Sequence, residues 1–253
     1  MRGGISINLW RGAIALLFLS LWEGLVRIGW IEPFYVGVPS KIILKTYAWV
    51  AGGFIFPHLY VTILETIAGF LLGATLGLAV ALLFAFQRDL ADLFQPIFVF
   101  INSFPRVVLY PLFAIWFGLG VASKIVLGVS LVFFVVFFNT YQGIREVERD
   151  ILENVLLLGA SRRGLIWHVY LPAALIWIMS GLRVSVSLAL IGAVVGEYVA
   201  SAKGVGQVIA FSLSMFRATE VMAGLLILVL VITIIDYSLR LAEARFTRWR
   251  GAA

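Results

Sequence analysis

Apolar residues run along this chain in six long blocks separated by short polar stretches, covering about Gly12 to Ile31, Leu59 to Phe86, Phe94 to Gly118, Ile125 to Tyr141, Ala174 to Val199 and Val221 to Leu241. A helix needs about 20 apolar residues to cross the hydrocarbon layer, so the pattern predicts an all-α integral membrane protein of about six transmembrane helices. The first block follows Arg2 and Arg11 as a signal peptide follows its charged start. It then runs through Glu23 and Arg27 to Trp30 with no small-x-small cleavage site, and reads as a retained helix in which Glu23 and Arg27 can pair at i,i+4. The second block carries Gly69, Gly73 and Gly77, a small-residue ladder that lets two helix backbones approach closely. The third is interrupted by Pro105 and Pro111. Between the first two blocks, Glu32 to Pro57 holds Pro33, Pro39, Lys41 and Lys45, with an amphipathic stretch from Ile42 to Val50 that reads as an interfacial helix outside the core. The expected organisation is an N-terminal helix with its interfacial segment over 1–58, followed by one membrane core over 59–253.

Composition narrows the chemistry. The chain is 62% hydrophobic and 13% charged, which leaves no room for a large soluble domain among its 253 residues. It has no cysteine, so disulfides, thiol catalysis and thiolate metal sites are excluded, and His58 and His168 stand too far apart to form a ligand cluster. The net charge of +6 reads as a topological signal rather than a nucleic-acid footprint. With the N-terminus inside, eleven Lys and Arg fall on the inner side and six on the outer (Arg27, Lys41, Lys45, Lys124, Lys203 and Arg217), with Arg106 and Arg183 left within spans. Both termini and the stretch 142–172 are therefore expected in the cytoplasm. Trp10, Trp22, Trp30, Trp167 and Trp249 fit interfacial anchoring, and the phenylalanines at 133, 134, 137 and 138 face lipid or fill the core.

The stretch 142–172 is too polar to cross and too patterned for a slack loop. Val147 to Leu158 reads as one helix and Ser161 to Tyr170 as a second, broken at Gly159 and capped by Ser161. On periodicity alone such a hairpin either rests on lipid headgroups or acts as a rigid knob that docks into a groove of another protein.

Glu153, Gly159 and Leu171-Pro172 reproduce the spacing of the EAA-x3-G-x9-I-x-L-P signature, with Val169 at the Ile position and Asn154-Val155 in place of Ala-Ala. The stretches INSFPRVVLYPLFAIWFGLG (Ile101 to Gly120), FFNTYQGIREV (Phe137 to Val147), GEYVASAKGVGQVI (Gly196 to Ile209) and RLAEARFTRWR (Arg240 to Arg250) agree in order. Over about Leu59 to Arg250 the chain resembles the type I permease subunits of bacterial ABC importers, in the nitrate, sulfonate and taurine branch. The resemblance implies that the hairpin is a coupling helix seated in a cleft of a cytoplasmic ATPase. Glu153, Arg162 and Arg163 would pair across that contact, Gly159, Ala160 and Ser161 would allow the turn and close approach, and Pro172 would end the knob and start the next span. It further implies a dimer of permeases, expected to be a homodimer, with two ATPases that bind ATP and Mg²⁺ and an external solute-binding protein. The cargo would be a nitrate-, sulfonate- or taurine-like anion or a vitamin precursor, carried across the bacterial inner membrane. The chain itself holds no G-x-x-x-x-G-K-[ST] loop.

Ionisable residues within spans mark candidate positions along a path. Arg106 follows Pro105 in the broken third helix, where it either attracts an anion or snorkels to phosphates. Arg183 and Glu197 lie on the fifth helix about 21 Å apart along its axis, too far to pair within one protomer. The fifth helix is expected to line the path, and the glycine-rich segment Ser201 to Gln207 to form an outer gate or re-entrant turn. Asn102, Ser103 and Asn139 are expected to bond neighbouring helices. A stand-alone secondary carrier would show internal repeats, and none is convincing. An intramembrane hydrolase would need a Ser and a His at one depth, and His58 and His168 fall on opposite sides.

Overall fold

The computed structural model describes residues 3–147, 154–155, 157–159 and 161–246, and no strand occurs among them. Its elements are α1 (Gly3–Arg27), α2 (Pro33–Val36), α3 (Pro39–Ala51), α4 (Phe56–Phe86), α5 (Arg88–Asn102), a 3₁₀ turn (Arg106–Leu109), α6 (Tyr110–Phe117), α7 (Val121–Arg145), α8 (Arg162–Leu165), a π turn (Ile166–Tyr170), α9 (Leu171–Val199), α10 (Val205–Ser214) and α11 (Ala218–Phe246). Five helices among the described residues are long and apolar enough to cross a membrane: Leu9–Arg27, Phe56–Phe86, Val121–Arg145, His168–Val199 and Ala218–Ser238.

The third apolar block is not one straight span. Asp89–Asn102 and Arg106–Phe117 form a pair bent by 80°, which makes a sixth crossing where the two together count as one broken span. Pro105 is the cause: it has no N–H to give the preceding turn, and it drives Phe104 away from helical backbone angles.

The centre of the bundle is α7 packed between α4 and α9. Glycine sets how closely they meet. A Cβ on Gly69 would lie 3.3 Å from Gly128 Cα, and one on Gly192 would lie 2.8 Å from that same Gly128 Cα. Further along α4, a Cβ on Gly73 would meet Val132 at 2.7 Å and one on Gly77 the Phe133 carbonyl at 2.6 Å. The ladder in the second block is thus the face that α4 presents to α7. Where no water is available to drive association, such close backbone contact provides the packing. Toward the other end of α7, Phe134 and Phe137 are buried, and Phe137 clusters with Phe84, Ala81, Ala91 and Tyr141, so these phenylalanines fill the core.

The amphipathic stretch after the first block is α3. It lies against α11 rather than apart from the core: Ile42 and Trp49 share a buried cluster with Ile55, Val208, Ile209 and Ala223. The helix α1 joins it through Glu23, which receives Ser40 N–H at 2.9 Å and the Ser40 hydroxyl at 2.8 Å while pairing with Arg27 at 2.7 Å.

Replacing Gly192 by Ala forces backbone apart from backbone, because the obstructing atoms at 2.8 and 2.9 Å are Gly128 Cα and N. It should destabilise the protein by about 1–3 kcal/mol, in the range of overpacked cores. Gly12→Ala, with nothing within 4 Å of the added carbon, should be near neutral. Thermal unfolding of both variants in detergent measures the difference, and equal midpoints would argue against a glycine-set seam.

Candidate functional site

The buried polar residues of the bundle gather where α4, α7 and α9 approach the loop 200–204. Glu197, in the last turn of α9, is 1% exposed. Its Oε1 accepts the Thr62 hydroxyl at 2.6 Å and its Oε2 the Gly206 N–H at 2.7 Å. Thr62 Oγ1 accepts the Val205 N–H at 2.9 Å, and His58 Nδ1, one turn earlier on α4, accepts the Gly204 N–H at 3.2 Å. Three successive N–H groups at the start of α10, where a helix has no partners of its own, are satisfied by side chains from two other helices. The carboxylate also meets the positive end of that helix dipole.

Gly204 is required for this joint. Its φ of 123° and ψ of 159° lie in a region that essentially only glycine occupies, and a Cβ there would fall 2.1 Å from the Glu197 carboxyl carbon. The glycine-rich segment that reads as a gate or re-entrant turn is therefore a short loop leading into the ten-residue apolar helix α10, which packs on α9 and α11.

Beside this joint lies Glu65, also 1% exposed, its carboxyl within hydrogen-bonding reach of that of Glu197. Its charged neighbours are Glu197 and Lys124. Lys124 is 2% exposed, and its Nζ donates to the carbonyls of Leu119 and Gly120 at 2.9 and 3.0 Å, just beyond the end of α6. Tyr110 closes the same side, its hydroxyl donating to the Ala200 carbonyl at 3.3 Å. Counting Lys124 among outer loop charges misses its place: it enters the bundle in the first turn of α7. Glu65 is visible in the sequence as an acid inside an apolar block, the signal for an intramembrane functional group, yet Arg106, Arg183 and Glu197 are the residues such a reading singles out. Thr62 gives no signal of its own.

The expected path residues do not come together. Glu197 is turned into the protomer and bonded there, and it faces no open path in this structure. Arg106 is half-buried: it donates to the Ser130 carbonyl at 2.9 Å, to the Asn102 carbonyl at 3.1 Å and to the Asn102 side chain, and it stacks 4.7 Å over the Phe134 ring. It ties the break in the third crossing to α7. Arg183 lies on the exposed surface of α9. Asn139 bonds within its own helix, to the Val135 carbonyl at 2.8 Å.

Of the hairpin, Glu153 and Ala160 lie outside the described residues. Gly159 ends a turn with φ +84°, in the left-handed region, and nothing lies within 4 Å of the position its Cβ would take. Ser161 Oγ accepts the Gly164 N–H at 3.1 Å, a helix N-cap bond, and Arg162 and Arg163 open α8. Pro172 does not stop the chain. The short helix α8 passes through the π turn directly into α9, with Pro172 in its first turn. Proline cannot give an N–H to the carbonyl of His168, and widening the turn ahead of it relieves the clash.

The family model described as "Binding-protein-dependent transport system inner membrane component" matches residues 69–248. A Bacillus subtilis protein described as an aliphatic sulfonates transport permease, SsuC, is 32% identical over 236 residues, 93% of this chain and 86% of its own. The formylaminopyrimidine transport permease protein ThiX of Halalkalibacterium halodurans is 31% identical over 217 residues, 85% of this chain and 86% of its own. Among solved structures, a chain of the inward-facing MetNI methionine ABC transporter superposes with a TM-score of 0.62 at 20% identity, covering 76% of this chain and 94% of that one.

The joint at Glu197 makes separable demands on its two acids. Glu197→Ala leaves the Gly206 N–H without its partner, at about 1–3 kcal/mol for the orphaned group, and leaves the Thr62 hydroxyl only its longer bond to the His58 carbonyl at 3.2 Å. Glu65→Gln keeps the shape and keeps an N–H donor facing the Glu197 carboxylate. Thermal denaturation in detergent should therefore show a clear loss for the first and little or none for the second. A larger loss for Glu65→Gln would reject this division of roles.

Proposed function

Because the chain belongs to the family of inner membrane components of binding-protein-dependent transport systems, we propose that it pairs with a second copy of itself to enclose the solute path of an importer. It is a multi-pass permease subunit of an ABC importer and not itself an enzyme. It works with an ATPase subunit and a solute-binding protein.

Within that assignment, the hairpin around Gly159 is the coupling element. The observation that carries this reading is the left-handed turn at Gly159 followed by the Ser161-capped helix, which continues without a loop into α9. We assign Gly159, Ala160 and Ser161 to the turn and close approach, and Glu153, Arg162 and Arg163 to ion pairs with an ATPase cleft. The Lys and Arg asymmetry puts the hairpin and both termini in the cytoplasm, so the loop at Ser201 faces outward, where a binding protein delivers cargo. Residues 1–58 add an N-terminal helix and an outer segment whose helix α3 packs against the permease core of 59–253.

One protomer of this size leaves α9 as its most suitable path-lining helix, and exposed Arg183 is the residue we assign to it. Arg106 and Glu197 serve the path indirectly, by holding the broken third crossing and α10 in position. The cargo belongs to the class named for the relatives: a small sulfonate-like anion, as for SsuC, or a heterocycle such as the formylaminopyrimidine of ThiX.

Two substitutions at Gly159 separate turn from docking. Asn tolerates the left-handed region and should keep partial coupling. Glu strains the turn and fills the cleft, and should leave the protein in the membrane while abolishing uptake and substrate-stimulated ATP hydrolysis in the reconstituted complex. Normal uptake by Gly159→Glu would remove the coupling assignment.

A further inference from the structure

A cavity of about 490 Å³ opens between α3, α10, α11 and the start of α4. It is away from Arg183, and the path proposed above does not use it. The volume lies in the range of sites that hold small organic molecules. One side is aromatic: Trp49, Phe54 and Phe211 line it, with the Phe54 ring 5.3 Å from that of His58. The other side is charged. Glu220 Oε1 pairs with Lys45 Nζ at 2.8 Å, and its Oε2 lies 3.6 Å from an Arg217 nitrogen and receives the Ser212 hydroxyl at 3.4 Å.

Two cations share one carboxylate, so the wall carries a net positive charge when His58 is neutral. The pairing is also uneven. Lys45 makes a close contact and lies 5.5 Å over the Trp49 ring. Arg217, more than half exposed, makes one long contact. A guanidinium offers five N–H donors in a planar fork suited to oxyanions, and among the described residues no other side chain takes up the fork of Arg217. A positive fork at the mouth of a cavity with aromatic walls suits one kind of guest: an oxyanion carried on an apolar body.

We infer that this cavity is a binding site for an anionic amphiphile, with Arg217 and Lys45 holding the oxyanion and Phe211 and Phe54 the apolar part. A soluble organic anion and an anionic lipid headgroup share this chemistry. The cavity is also connected to the buried joint, because His58, in its wall, accepts the Gly204 N–H at the start of α10. A guest pressing on His58 therefore acts on the same loop that Glu197 and Thr62 hold.

The test uses the full chain in phosphatidylcholine nanodiscs and equilibrium dialysis with radiolabelled benzenesulfonate, with empty discs subtracted. Saturable binding is expected, competed by excess unlabelled benzenesulfonate but not by sulfate, which lacks the apolar body, nor by benzyl alcohol, which lacks the charge. Arg217→Ala should weaken it about tenfold, the effect of losing one charge-assisted contact. Phe211→Ala, which alters an exposed side chain and leaves the Lys45–Glu220 pair intact, should weaken it as well. Arg183→Ala should bind as the unaltered protein does. Loss of binding in Arg183→Ala with none in Arg217→Ala would place the guest in the proposed path instead and overturn the assignment. Repeating the measurement in phosphatidylglycerol discs distinguishes the guests: loss of binding there identifies a lipid headgroup as occupant, and retention identifies a free solute. No saturable binding, equal competition by sulfate, or unchanged binding in both Arg217→Ala and Phe211→Ala would each overturn the assignment. Because the readout is binding and not transport, its failure leaves the importer reading untouched.

Discussion

The contact on which the rest of this protein depends is the meeting of three helices at Gly69, Gly128 and Gly192. In a bilayer apolar side chains gain little by leaving lipid for one another, so helices associate where backbones approach closely and dispersion contacts multiply. Glycine at all three positions removes the side chains that would separate them. The seam also fixes the register of the three helices. Glu65 stands four residues before Gly69, Lys124 four before Gly128, and Glu197 five beyond Gly192 on a helix running the other way. At about 1.5 Å per residue, the seam places all three ionisable residues in one layer, some 6–8 Å from it. The polar layer is a consequence of the seam, and a slip of one turn in any helix would carry a charge out of it.

That layer solves a problem created by α10. A helix of ten residues that begins inside the bundle exposes N–H groups which hydrocarbon cannot satisfy. Glu197, Thr62 and His58 satisfy three of them in sequence, and the conformation of Gly204 brings those groups within reach. The joint binds α4, α9 and α10 into one body. The break in the third block is held by a separate set of contacts. There Arg106 spans the break to the Ser130 carbonyl and the Phe134 ring.

Much of this was legible in the residues. Apolar run length gives the helices, and small-residue spacing gives the face of α4 that packs on α7. Gly159 and Ser161 mark the turn and cap that the structure contains. The misses have physical causes. Pro105 marks the break in the third block, but run length cannot give its 80° angle, because a broken span is as apolar as a straight one. Charge counting treats Lys124 as a loop cation because it stands near a span's end, whereas its side chain reaches back to two carbonyls and is buried. Glu197 reads as a path residue when only its own helix is considered. Its partners Thr62 and Gly206 lie 135 and 9 residues away, and the first of these separations is invisible to local reasoning. The cavity beside Glu220 was out of reach for the same reason, since its walls come from four separate elements.

The π turn makes the second half of the hairpin continuous with α9. Had Pro172 closed the hairpin with a loop, a displacement at Gly159 would be absorbed there. Instead α8 passes through Ile166–Tyr170 into α9 with Pro172 accommodated in the first turn. The 29 residues of α9 make a rod about 44 Å long, gripped by α7 at Gly192 and by α10 at Glu197. α7 holds that rod along its length, with Gly143 against Trp177, Asn139 against Gly181 and Gly128 against Gly192, so the two helices form one packed pair. On the coupling reading proposed above, a push at the hairpin is therefore borne by α9 and α7 together, and the buried carboxylate of Glu197 ties α10 to the same body.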